Sequence, residues 1–223
     1  MKRFVLLCAL LILMAGLAGK NLLAQPESVV RDDARQRWLV SNKKTGDIVT
    51  IDDSGNQSYL CRGLTSIRGL AIVDERVYCA SSEGVVGIDL ATGDEILRVV
   101  ISEASFLNDI TAALQGVLYV SDSNTASIWR VDINTGCSAL LSDGSVPGVN
   151  GLYFDAEQNR LLATSSLDGA SIQQVDLTTG RPGQLVALEF GYLDGLTSDG
   201  EGRWYVSSWQ AGAVYRLAAD FSN

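Results

Sequence analysis

The chain of 223 residues contains no histidine. That absence removes the Ser–His–Asp and Cys–His nucleophilic arrangements, His-ligated zinc or iron, and a histidine general base. Proline is nearly absent too. Two of the three prolines, Pro26 and Pro147, stand ahead of apolar runs, where a fixed φ and a missing donor suit a turn into a strand. The four cysteines, Cys8, Cys61, Cys79 and Cys137, are too far apart for a zinc pattern or a disulfide framework. Cys79, inside RVYCASS, reads as a small core residue, and a Cys61–Cys79 bridge is not expected. No GxGxxG or P-loop pattern falls at a strand-to-helix junction. Basic residues are the minority, 17 against 26 acidic ones, for a net charge of −9. Such a surface repels nucleic acid and anionic membrane.

The first 24 residues, MKRFVLLCALLILMAGLAGKNLLA, have the form of a secretory leader. Lys2 and Arg3 precede an apolar run from Phe4 to about Ala18, and small residues follow. The run is short and poorly flanked for a membrane span, although an uncleaved anchor is the alternative. Cleavage is expected after Ala24, giving a secreted or periplasmic protein that begins at Gln25 and is not membrane-bound. The leader would remove Cys8 and three basic residues, leaving 14 basic against 26 acidic side chains over 199 residues, net −12. That length suits one domain, 25–223, with a substantial core.

What the chain does contain is a repeat. In VNGLYFDAEQNRLLATSSLDGASIQQVDLTTG, from Val149 to Gly180, three short apolar runs are each stopped by turn residues, and QLVAL follows as a fourth. Runs of this length bounded by Gly, Asp and Asn read as strands joined by hairpins. An Asp before the last hairpin recurs as Asp52, Asp89, Asp132, Asp176 and Asp220, at intervals of 37, 43, 44 and 44 residues. The strand before it recurs as RWLVSN, RVYCASS, VLYVSDS, RLLATSS and RWYVSSW. A four-strand repeat of this period predicts the blades of an all-β propeller, which stack because one sheet cannot bury both its faces. Apolar residues at 3.6 spacing, which a helical repeat needs, are not found. The blades are expected near 26–62, 66–101, 107–141, 149–188 and 193–223.

One polar residue recurs where the first strand of each blade begins: Glu27, Arg68, Asn108, Asn150 and Asp194, at intervals of 41, 40, 42 and 44 residues. First strands line the channel of a propeller, so this column is expected to converge on one axis. Glu27, Asn108, Asn150 and Asp194 offer hard oxygens with two full negative charges, the ligand chemistry of Ca²⁺ and similar ions. The plainer reading is that a polar residue at a strand start only caps a turn. Four oxygen-bearing side chains in one register favour a site.

These residues carry a resemblance. LDGLTSDGEGRWYVSSW (Leu193–Trp209) is similar to the Asp-Gly, then Asp, Gly and Trp pattern of the gluconolactonases and regucalcin, also called senescence marker protein. VNGLYFD resembles that family's Asn-Gly, LNDI its Asn-Asp, and PESV stands where it has Glu-Gly-Pro. The resemblance spans nearly the whole chain after the leader. It implies a six-bladed propeller in which Glu27, Asn150 and Asp194 hold a divalent metal ion. Ca²⁺ is the first expectation, with Zn²⁺ and Mg²⁺ as alternatives. It implies that Asn108 contacts substrate or metal, and that the protein opens lactone rings. Two departures stand out: Ser28-Val29 replaces Gly-Pro, and no Arg precedes Asn108. Arg68 is the guanidinium of the column, assigned with Asn108 to orient the substrate, a lactone or sugar-acid derivative. Asp194 is the expected catalytic base toward water. The competing class is a propeller that binds a ligand or a protein without turnover, with a structural metal or none. The sequence also predicts that the fifth blade stops early and that a sixth is missing, as in a C-terminally truncated chain.

Overall fold

A computed structural model describes residues 20–169 and 171–222, so residues 1–19 of the expected leader lie outside the described residues. The described residues form strands, turns and one short 3₁₀ turn at Leu114–Gly116. They fall into two compact units, 20–102 and 103–222.

The first unit holds two four-stranded antiparallel sheets. One runs β1 (Pro26–Asp32), β2 (Arg37–Asn42), β3 (Asp47–Asp52), β4 (Gln57–Cys61). The other runs β5 (Leu70–Val73), β6 (Arg76–Ser81), β7 (Gly84–Asp89), β8 (Glu95–Val100). The second unit holds three. They are β9 (Leu107–Ala112), β10 (Val117–Asp122), β11 (Ser127–Asp132), β12 (Cys137–Ser142); β13 (Val149–Asp155), β14 (Arg160–Ser165), β15 (Ser171–Val175), β16 (Pro182–Ala187); and β17 (Leu193–Ser198), β18 (Trp204–Ser208), β19 (Ala213–Leu217). Each sheet pairs its strands in sequence order, the meander expected of a propeller blade. The fifth sheet has three strands among the described residues.

The middle strands are apolar on both faces because both faces are covered. In β6 and β7, Val77, Tyr78, Cys79, Val85, Val86 and Ile88 are buried, whereas β8 alternates toward water. In the first unit, Leu39 and Ile48 of one sheet close against Ile67, Leu70, Val77 and Val86 of the next. In the second, Tyr119 and Ile128 pack on Val149, Leu152 and Phe154, while Leu162 and Ile172 pack on Leu193, Trp204 and Val206. The Trp204 ring meets Tyr153 edge-on at 5.2 Å and stacks on Phe221 at 4.9 Å, both favoured aromatic geometries.

The recurring Asp of the repeat is a turn device. Asp89, Asp132 and Asp176 each accept the backbone N–H groups two and three residues on, and Asp52 does the same for Ser54 and Asn56. Those bonds hold all four carboxyls below their ordinary range, with the Asn56 side chain the largest cause at Asp52. Gly180, closing the fourth of these turns at φ +69°, lets the chain pass Leu141, whose carbonyl oxygen would lie 1.7 Å from a Cβ there.

Residues 20–24, given to the leader by the sequence, lie against the first sheet. Leu22 and Leu23 pack on the cluster of Val40, Val49 and Ile51. The buried Asn42 amide donates to the Leu22 carbonyl at 2.8 Å and accepts the Ala24 N–H at 2.9 Å. Cys61, Cys79 and Cys137 are free thiols.

Candidate functional site

The column residues share one local structure. In four sheets, the first strand carries two residues opposite one on the second strand, a β-bulge. Glu27 and Ser28 stand opposite Ser41, and Asn108 and Asp109 opposite Ser121. Asn150 and Gly151 stand opposite Thr164, and Asp194 and Gly195 opposite Ser207. A bulge leaves backbone groups off the ladder, and here a hydroxyl takes them. Ser41, Ser121 and Ser207 accept the N–H groups of Ser28, Asp109 and Gly195 at 3.0, 2.9 and 2.9 Å. Thr164 instead donates toward the Gly151 carbonyl at 3.3 Å. The second sheet has Ala80 at this place and cannot make such a bond. There Arg68 N–H and the Gly69 carbonyl pair directly with the Ala80 backbone. Sequence pattern alone does not mark these hydroxyls as functional. Their signal is the Ser or Thr at the fifth place of RWLVSN, VLYVSD, RLLATS and RWYVSS.

In the second unit the hydroxyls also reach the next sheet. Ser121 Oγ donates to the Asn150 carbonyl at 2.7 Å, and Thr164 Oγ1 to the Asp194 carbonyl at 2.5 Å. Asp109 accepts the Leu152 N–H at 2.8 Å. Asn108, Asn150 and Asp194 are thereby set on successive first strands β9, β13 and β17. Asn108 Nδ2 donates to Asn150 Oδ1 at 2.7 Å and to Ser123 Oγ at 3.1 Å. Asn150 Nδ2 points to the Leu193 carbonyl at 3.4 Å, next to Asp194. Asp194 Oδ2 accepts the indole N–H of Trp209 at 2.7 Å. All three column side chains are partly open to solvent.

In the first unit, Glu27 lies 3.5 Å from Lys43 Nζ, a solvent-facing pair worth little by itself. Arg68 is buried, with Nη1 3.4 Å from the Ser66 carbonyl. Burial pushes its guanidinium below the ordinary value, and the Glu27 carboxylate works against that. The structure thus joins Asn108, Asn150 and Asp194 in one row, and relates Glu27 to Arg68 in the other unit.

The donors of that row fit a hard divalent ion in kind: two amide oxygens and one carboxylate. No group of three or more Cys, Asp or Glu side chains suited to a metal is found among the described residues. Any ion at the row would therefore rest on amides as much as on charge.

Comparison with solved structures places the fold. The chain is similar to a gluconolactonase from Xanthomonas campestris, at 16% identity and TM-score 0.75 over 90% of this chain and 74% of that one. It is similar to regucalcin from Agrobacterium tumefaciens, a calcium-binding protein, at 22% identity and TM-score 0.71 over 90% and 73%. A chain of the nidogen/laminin complex is as similar, at 17% identity and TM-score 0.75 over 89% and 77%. At these identities the likeness is one of fold, and a β-propeller is the fold it shows. No curated protein matches the chain. The family described as SMP-30/Gluconolactonase/LRE-like region matches residues 25–222. With that match over nearly all of the described residues, the chain belongs to the SMP-30/gluconolactonase/LRE-like family.

Proposed function

We propose that this chain is an exported hydrolase of the gluconolactonase type, opening a lactone or related ester with Asp194 as the base toward water. The observation that carries the reading is the row Asn108–Asn150–Asp194 on successive bulges, in which the Asn108 side chain bonds that of Asn150 and the Asn150 side chain reaches the Leu193 carbonyl beside Asp194. Membership of the family and the likeness to a gluconolactonase support a small neutral substrate. The likeness to a calcium-binding regucalcin supports a divalent ion.

Asn150 and Asp194, with Asn108, would hold that ion: Ca²⁺ first, Zn²⁺ or Mg²⁺ otherwise. When bound, it supplies polarisation of a carbonyl oxygen. The chain's own residues do the rest. Trp209 fixes one Asp194 oxygen by a hydrogen bond, which sets the plane of the carboxylate. Asp194 takes a proton from water as the water oxygen adds to the carbonyl carbon. The ring C–O bond then breaks, the leaving oxygen takes the proton back, and a hydroxy acid results. Asn108, steadied by Ser123, orients the ring oxygens.

The test is hydrolysis of a lactone panel with and without chelator, beside melting curves in chelator and in excess Ca²⁺ or Zn²⁺. Turnover that chelator abolishes, and a melting temperature raised by the ion, are expected of wild type. Asp194→Ala should remove both while still folding. Ligand binding with no turnover of any lactone would favour the non-catalytic propeller instead. Identical melting curves in chelator and in ion would refute the metal.

A further inference from the structure

Beside Asp194 stands a feature that lactone hydrolysis alone does not require. Leu167, Tyr192 and Trp209 are among the exposed large apolar residues, at 48%, 47% and 78% exposure. They come from three separate segments, yet their backbones form one row. Tyr192 N–H donates to the Leu167 carbonyl at 2.8 Å, and Trp209 N–H to the Tyr192 carbonyl at 2.9 Å. The Trp209 indole then reaches Asp194. Pairing fixes their level in the fold. Val149 faces Ser165 and Leu193 faces Ser208, so the turns after β14 and β18 lie at the same sheet ends as Asn150 and Asp194.

Tyr192 sits there against its backbone preference. Two residues before the column residue, the lead-in turn takes a left-handed conformation in several sheets: Gln25 at φ 55°, Ser66 at 47°, Gly148 at 66° and Tyr192 at 50°. Glycine is the residue this conformation favours, and the fourth sheet has it; a bulky tyrosine is a costly choice. Such outliers cluster at functional sites. Gln210 braces the same turns, accepting the Gly191 N–H at 2.6 Å and donating to Asp168 at 3.3 Å. The charged residues within 166–169, 189–195 and 207–212 are Asp168, Glu189 and Asp194, all acidic.

We propose that Trp209, with Tyr192 and Leu167, is a stacking platform on which the Asp194 site takes an uncharged, ring-bearing ligand with an apolar face. The proposal rests on the Asp194 reading above and names the substrate class that goes with it. An aromatic face offers a flat apolar ring contact area at low conformational cost. With no cation bound, the acidic segments around it disfavour an anion, so the platform takes the neutral ring in preference to the ring-opened hydroxy acid.

The probes are 3,4-dihydro-2-quinolinone, a neutral ring amide that resists hydrolysis, and 3-(2-hydroxyphenyl)propanoate, an anion of similar size. Titration calorimetry on the full chain in chelator, which removes any ion that would attract the carboxylate, should find the neutral ring bound at least about tenfold more tightly. Trp209→Ala should weaken it by about tenfold, Trp209→Phe by much less, and Tyr192→Ser by a smaller factor than Trp209→Ala. Because these side chains are exposed, melting curves should stay near wild type, which separates lost binding from lost folding. An unchanged affinity in Trp209→Ala, or equal affinity for the anion, overturns the platform. So does a wild-type dimer that Trp209→Ala makes monomeric in sedimentation, since a second copy then covers the patch. If Asp194→Ala abolishes turnover while Trp209→Ala binds normally, the platform fails and the hydrolase stands. If Trp209→Ala loses binding while no lactone is turned over, the hydrolase fails and the platform stands as a ligand site.

Discussion

Gly151→Ala tests how closely the Asn150 and Asp194 strands must approach. Gly151 is buried, and its φ is not in the left-handed region, so the obstacle is space. A Cβ there would lie 2.2 Å from the Asp194 carbonyl oxygen and 3.0 Å from Gly195 Cα. Both are backbone atoms and cannot rotate away, so β13 and β17 must separate by about 1 Å to reach ordinary contact distance. Overpacking of this kind costs about 1–3 kcal/mol. Separation also stretches the Thr164 bonds to the Gly151 and Asp194 carbonyls, adding about 1 kcal/mol. Reduced freedom of the unfolded chain offsets about 0.4–1 kcal/mol. The net expectation is about 2–3 kcal/mol. With an m-value of about 2 kcal/mol per molar urea, the midpoint falls by about 1 M. Gly183→Ala is the matched control: a Cβ there would meet only the Gln174 carbonyl oxygen, at 3.9 Å, so its midpoint should not fall. A Gly151→Ala midpoint equal to wild type would refute the claim that backbone contact holds the row together.

Two further outcomes follow from other parts of the fold. Asp199 is pushed upward by desolvation, but the Arg203 guanidinium and the N–H groups of Glu201 and Arg203 outweigh this and hold it at about 2. Its folded value lies below the ordinary carboxylate value, so its stabilisation is present above about pH 4 and is lost as pH falls toward about 2. Asp199→Asn should flatten stability across that window, and parallel acid limbs in urea melts at stepped pH would contradict it. Chains begun at Lys20 and at Gln25 should differ by about 2–3 kcal/mol in urea melts, from two partly buried leucines and the Asn42 bonds. Equal midpoints would show that residues 20–24 add nothing to the first sheet.

The blades were legible because sheets covered on both faces demand short apolar runs, and turns demand Asp and Gly at fixed offsets. The column was legible for a related reason: a polar residue recurring at a strand start is conspicuous among Val and Leu. What the sequence hid was the partner. Ser121 or Thr164 looks like any polar residue on a strand until register shows it opposite two residues instead of one. Trp209 lies within the family-like stretch, and only its exposure and its bond to Asp194 set it apart from the buried Trp204. Leu22 and Leu23 extend the apolar leader in sequence, and nothing in the pattern separates a leader's end from a segment that covers a sheet.

The odd member of the column shows what the bulge is for. Where the second strand offers a hydroxyl, the first strand can carry an extra residue, because the hydroxyl takes the N–H or C=O that the ladder drops. Those sheets bear Glu27, Asn108, Asn150 and Asp194. Where it offers Ala80, the backbone of Arg68 and Gly69, just ahead of β5, bonds the Ala80 backbone with no hydroxyl, and Arg68 is buried. Oxygen-bearing side chains and hydroxyl-supported bulges thus occur together. In the second unit the same hydroxyls also bind the neighbouring column residue's carbonyl, so β9, β13 and β17 are registered through the very residues that would meet a ligand. A change at Thr164, which touches no ligand in this scheme, therefore acts on Asp194 through its backbone. The Asn108–Asn150–Asp194 row is thus held by positions, Ser121 and Thr164, that look ordinary in the sequence.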